Sequence, residues 1–112
     1  MNKRNVLRHL KRAVKYINNG WCTGCLAKDI NGDSVDPESS RAVFWCAAGA
    51  LYASSNKTDF EVEDARSALK ECLPRGKKNY GLGAFNDSCI FKKDVIKLFN
   101  KAISKLERYD VK

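Results

Sequence analysis

The stretch from Ala42 to Ala53, Ala-Val-Phe-Trp-Cys-Ala-Ala-Gly-Ala-Leu-Tyr-Ala, carries no charged side chain on any face. A segment of this kind is stable only when the rest of the chain wraps around it. Extended back to Glu38 or Arg41 and forward to Ser54, it predicts a central, buried helix. Ala47, Ala48 and Gly49 would let neighbouring helices approach closely. A chain of 112 residues has room for one such core and little else, so residues 1–112 are expected to form a single helical domain.

Amphipathic segments supply the wrapping. Val6, Leu7, Leu10, Val14 and Ile17 recur at three- and four-residue spacing, predicting a helix from about Lys3 to Asn18, with Asn18-Asn19-Gly20 as its stop. Thr58 and Glu61 form a capping-box pair for another helix, whose apolar stripe is Val62, Ala65, Leu69 and Cys72 and which Pro74 ends. A last helix is predicted over about Lys92 to Arg108, with Val95, Leu98, Phe99, Ala102 and Leu106 facing inward. Between these, Trp21 to Pro37 reads as a loop with a hairpin around Asn31-Gly32, and Arg75 to Ile90 as a long glycine-containing loop. Loops of that length in compact domains are often functional. The expected fold is all-α: about four helices around the central one, with two irregular glycine/aromatic loops.

Charge is distributed unevenly. Lys3, Arg4, Arg8, Lys11, Arg12, Lys15 and Lys28 precede the first acid, and acids then cluster at Asp29 to Glu38 and at Asp59 to Asp64. Arg75, Lys77, Lys78, Lys92, Lys93, Lys97, Lys101 and Lys105 restore the positive sign. A net charge of +8 raises the local concentration of anions without selecting among nucleic acid, nucleotide and acidic protein. No stretch approaches the roughly 18 apolar residues of a membrane span, and no signal-peptide core is visible, so the expected location is the cytoplasm. Five cysteines are an odd number. Reduced thiols are therefore expected, with Cys46 and Cys72 as core residues.

Several motifs imitate chemistry. Trp21-Cys22-Thr23-Gly24-Cys25 has redox spacing, but a basic helix precedes it where a redox centre needs a strand before and a helix after. The same cysteines have zinc spacing but no second close pair, and His9 reads as a surface residue on the basic helix face. Asp29, Asn31 and Asp33 start like a calcium loop, yet Ser34 and Ser40 stand where glycine and a bidentate glutamate belong. A single histidine, no glycine-flanked nucleophile serine and no phosphate-loop fingerprint point away from an enzyme. No catalytic residue, metal ligand or cofactor is assigned.

The loops, by contrast, join aromatic rings, glycines and cations. Trp21 and Gly24 follow the first helix; Lys77, Lys78, Tyr80, Phe85, Asn86 and Asp87 lie in the long loop. Trp21, Tyr80 or Phe85 would stack on a base, and Arg41, Lys77 and Lys78 would neutralise phosphate. Asn86 and Asp87 would recognise a base edge or a ribose. The competing reading packs Trp21 and Phe85 into the core and leaves the lysines to solubilise.

Gly20-Trp21-x-x-Gly24, Trp45-Cys46-Ala47-x-Gly49-Ala50-Leu51 and Phe85-Asn86-Asp87, in this order, resemble an uncharacterised family of small bacterial and phage proteins. The resemblance runs from the first helix to the last. Its pattern usually has tryptophan where Phe85 stands, does not include Cys22 and Cys25, and adds Trp45 to the candidate positions. Some phages make small proteins that sequester nucleotide signals of bacterial immunity, which here would act in the host cytoplasm. The resulting expectation is a non-enzymatic, homo-oligomeric module binding a small anionic ligand such as a cyclic nucleotide. The alternatives are a nucleic-acid-binding accessory protein, which would use the basic first and last helices, and an inhibitor of an acidic host protein.

Overall fold

The computed structural model describes residues 2–55 and 59–110. The chain is mostly helical: α1 (Lys3–Asn19), α2 (Ala47–Ser54), α3 (Asp59–Glu71), α4 (Leu82–Ser88) and α5 (Lys92–Asp110). Two short strands, β1 (Ala27–Lys28) and β2 (Phe44–Trp45), pair antiparallel with Ala27 opposite Trp45. No helix among the described residues is long and apolar enough to cross a membrane.

Helix α1 is the spine, packed most extensively against α2 and α5. Asn2 caps it by accepting from the Asn5 amide at 3.1 Å. Val6, Leu10 and Ile17 are buried as their spacing predicts, with Leu7 and Val14 partly so. His9 corrects the expectation of a surface residue, for it is fully buried. Its Nε2 lies 2.7 Å from the Leu51 carbonyl oxygen; a carbonyl only accepts, so Nε2 carries the hydrogen. The contact ties α1 to α2.

The apolar stretch is central, but only its second half is helical. Residues 42–46 run extended because their backbone pairs elsewhere: Val43 donates to Lys28 (2.9 Å), Trp45 to Gly20 (2.9 Å) and Cys46 to Leu26 (3.1 Å). Those groups are then lost to an i→i−4 ladder. Helix α2 therefore begins at Ala47, not near Glu38 or Arg41. Cys46 is its N-cap, with Sγ accepting from the Gly49 amide at 3.3 Å.

Two glycines make this crossing possible. A Cβ on Gly20 would lie 2.1 Å from the Val43 carbonyl oxygen, and one on Gly49 would lie 1.9 Å from that of Leu26. At Gly49 the close approach is to the Leu26 loop backbone, while α2 also packs closely against α1, as its small residues predicted.

Helix α3 buries Val62, Ala65 and Leu69, and Cys72 follows them into the core. The capping pair Thr58 and Glu61 falls outside the described side chains. The long loop after α3 is a correction, because α4 occupies its second half and buries Leu82, Phe85 and Asn86. Helix α5 turns Val95, Leu98, Phe99, Ala102 and Leu106 inward, as its spacing predicts.

Candidate functional site

The three motif segments converge on one side chain. Asn86, fully buried, accepts through Oδ1 from Trp21 Nε1 (2.8 Å) and from the Ala47 amide (2.9 Å). Its Nδ2 donates to the Cys22 carbonyl (3.1 Å) and to Asp87 Oδ1 (3.3 Å). Two acceptor and two donor contacts exhaust what an amide can make, and they also fix its orientation. The Ala47 amide is one of the groups that the start of α2 leaves without a helical partner, so Asn86 supplies a cap from 39 residues away. Asp87 extends the node by accepting from the Gly24 amide at 3.0 Å. Gly24 has φ +86°, a left-handed conformation that favours glycine.

The node corrects part of the predicted site. Asn86 has no capacity left for a base or ribose. Gly24 and Trp21 give their polar hydrogens to Asp87 and Asn86. Trp45 donates Nε1 to the Pro37 carbonyl (3.1 Å) and packs edge-on against Tyr16, centroids 4.8 Å apart. These residues hold segments together; of the two aromatics that the competing reading packs into the core, Phe85 is buried there and Trp21 is partly buried against it, as is Trp45.

Arg41 is also placed apart. Its Nη2 pairs at 3.3 Å with buried Asp29, whose other oxygen accepts from the Asn31 and Asp33 amides (2.9 Å each). The apparent calcium loop is thus a turn organised by the Asp29 carboxylate, with Gly32 at φ +88° and a bridge between Lys28 and Ser34 closing the predicted hairpin. Lys78 donates to the Glu71 carbonyl at 2.8 Å, covering an end of α3.

Three of the thiols, Cys22, Cys46 and Cys89, are shifted toward the protonated form. Burial pushes Cys22 up to about 12, with the neighbouring Cys25 and Cys46 adding to the effect. Burial likewise raises Cys46, and it raises Cys89, where Asp94 adds to the shift and Lys77 opposes it. Redox and metal chemistry both need accessible thiolate, and at Cys22, Cys46 and Cys89 the environment favours the protonated form. Among the described residues no group of three or more His, Cys, Asp or Glu side chains could hold one metal ion.

On the other face of α4 lies a cleft of about 520 Å³, between the segment after α3, α4 and the start of α5. Its apolar surface comes from Pro74, Phe85, Ile90, Phe91 and Leu98, and its cations are Lys77, Lys97 and Lys101. Lys77 Nζ donates to Ser88 Oγ at 3.2 Å and stands 5.5 Å from the Phe85 ring centroid and 6.0 Å from that of Tyr80. Asp94 is the one carboxylate in the lining.

Of the residues predicted from sequence, Lys77 and Phe85 line this cleft and Tyr80 adjoins it through Lys77. Ser88, Phe91, Asp94, Lys97 and Lys101 were missed. Lys97 and Lys101 are four apart on a helix, a spacing that puts both on one face and was legible in the sequence.

The model of a family of unknown function (DUF6197) covers residues 1–105. No curated protein and no solved structure matches the chain.

Proposed function

The chain belongs to the DUF6197 family, and for it we propose a non-enzymatic role: binding a small anionic ligand in the cleft between α4 and α5. The observation that carries this is the set Lys77, Lys97 and Lys101 around an apolar lining in a cleft of about 520 Å³. Ligand sites are commonly concave and mostly apolar, with a few convergent polar groups. Three ammonium groups suit phosphate, the exposed ring of Phe91 suits a planar ring, and Asp94 offers a hydrogen-bond acceptor to a sugar or base. A nucleotide satisfies all three requirements, and a cyclic nucleotide signal is the specific ligand we favour. In a phage such a module would sequester an immune signal, and a homo-oligomer would deepen the site.

A binding role is preferred to catalysis because the candidate reacting groups are engaged or deactivated. The single histidine is buried against a carbonyl, and of the two loop residues that could react, Asp87 and Cys89, the first accepts through Oδ1 from Gly24 and Asn86 and the second is held protonated.

Titration calorimetry against a panel of cyclic and linear nucleotides tests the proposal. Saturable heat that Lys97→Ala and Lys101→Ala each diminish is expected. Absence of heat across the panel, or binding indifferent to both lysines, would sink it.

A further inference from the structure

Ile90 and Phe91, adjacent in the connector between α4 and α5, are 80% and 57% exposed. Burial in the domain core does not explain them, and a closed ligand cleft would not leave Ile90 so far in water. Consecutive large apolar side chains at a chain turn are an unfavourable surface unless something covers them.

Their surroundings indicate what does. Lys92 and Lys93 follow at once, and Lys93 Nζ stands 5.2 Å from the Phe91 ring centroid. Lys93, Lys97 and Lys101 are spaced by four along α5, so they form one stripe leading away from the apolar tip. All three are exposed, and among the described residues none is ion-paired, whereas Lys105 further along meets Glu71 at 3.7 Å. Asp94 is the only acid between Ser88 and Leu106. An apolar tip beside an unneutralised lysine stripe matches the two layers of an anionic bilayer surface, with acyl chains for the tip and phosphates for the stripe.

We propose that the α4–α5 connector and the lysine face of α5 dock on an anionic lipid surface, with Ile90 and Phe91 entering the interface. Ile90, Phe91, Lys97 and Lys101 also line the cleft, so docking and ligand binding draw on the same side chains, but docking goes beyond that reading and needs no bound ligand. Two apolar side chains make a weak anchor alone, so the attachment is reversible and depends on lipid charge.

The test is co-sedimentation of the whole chain with two kinds of vesicle: phosphatidylcholine containing phosphatidylglycerol, and pure phosphatidylcholine. The protein should pellet with the first, stay in solution with the second, and be released by raised salt. Ile90→Ser with Phe91→Ser, at exposed positions, should leave helical circular dichroism unchanged and cut the bound fraction severalfold. Lys97→Gln with Lys101→Gln should do the same. Failure of the parent to pellet, or equal pelleting with neutral vesicles, overturns the proposal. So does undiminished pelleting of the serine variant, since the lysines would then be a general polyanion surface; equal retention of parent and variant on duplex DNA would show that directly.

Discussion

The Trp21 indole donates its Nε1 hydrogen to Asn86 Oδ1 at 2.8 Å, across 65 residues of chain, and the same oxygen caps α2 at Ala47. One buried amide thus closes the loop after α1 onto both α2 and α4. Removing that amide while keeping its surroundings strands the Trp21 and Ala47 donors and the Cys22 carbonyl. Each unsatisfied buried group costs about 1–3 kcal/mol, so Asn86→Ala should destabilise the fold by about 3 kcal/mol or more. Urea unfolding followed by circular dichroism measures this. A loss below about 1 kcal/mol, the scale of one ordinary hydrogen bond, would mean the node is not the fastener described. Asn86→Asp keeps both acceptor contacts but gives up the donor to Cys22 and sets a carboxylate beside Asp87. It should be destabilising too, and less so in acid.

Glycine positions separate into those set by space and those that are open. Gly49→Ala places a methyl where the Leu26 carbonyl stands, and Gly20→Ala meets Val43 in the same way. Neither obstacle is the end of a flexible side chain, so overpacking of about 1–3 kcal/mol or more is expected at each. Gly83 lies within α4 with open space at its Cβ. Gly83→Ala should therefore stabilise, by up to about 1 kcal/mol, through helix propensity. Thermal melts of the three variants give the ordering directly, and a Gly49→Ala protein as stable as the parent would contradict the crossing.

The elements that could be read from the sequence are those whose cause is local. The stripes of α1, α3 and α5 follow a helical period that neighbouring residues alone determine. The start of α2 could not be read that way, because residues 42–46 are held extended by Gly20, Leu26 and Lys28, which lie far back in the chain. His9 looked like a surface residue for the same reason, as its partner is a carbonyl 42 residues away. Helix α4 was hidden by its length and by Gly81 and Gly83, which read as loop, and Gly81 makes no side-chain cap. The candidate site was legible in part. Lys77 was found through the loop that holds it, whereas Phe85 packs into the core and Asn86 was singled out for a role that its four inward contacts preclude; Asp87 is exposed and joins the node through Oδ1 alone. A polar residue in a motif signals a demand for its hydrogen bonds, and only the tertiary structure tells whether a ligand or the chain makes that demand.

Alkaline pH should weaken the fold through Cys22. Its thiol is pushed from 9.0 up to about 12 by burial, so an unfolded chain loses this proton at a lower pH than the folded one does. Stability from this group is fully present below about pH 9 and is lost as pH rises toward about 12. Cys46 and Cys89 shift in the same direction. Cys22→Ala should therefore show a shallower decline in unfolding free energy over that window than the parent. Equal slopes would show that the thiol ionises alike in both states. The same burial predicts slow alkylation of Cys22 in the folded protein at neutral pH.

The lysines of the cleft should matter for binding and not for stability. Lys97 and Lys101 are exposed and, among the described residues, not ion-paired, so replacing either with alanine breaks no salt bridge of the fold. A hydrogen bond to a charged ligand group is worth about 1.5–3 kcal/mol, which corresponds to a loss of about tenfold or more in affinity per lysine. Lys77 differs, because its ammonium also meets Ser88 and stands over Phe85. Lys77→Ala should cost both affinity and a few tenths of a kcal/mol to about 1 kcal/mol of stability. Calorimetry paired with thermal melts separates the two effects. A Lys97→Ala protein that binds a nucleotide as tightly as the parent, at the same ionic strength, would remove α5 from the site.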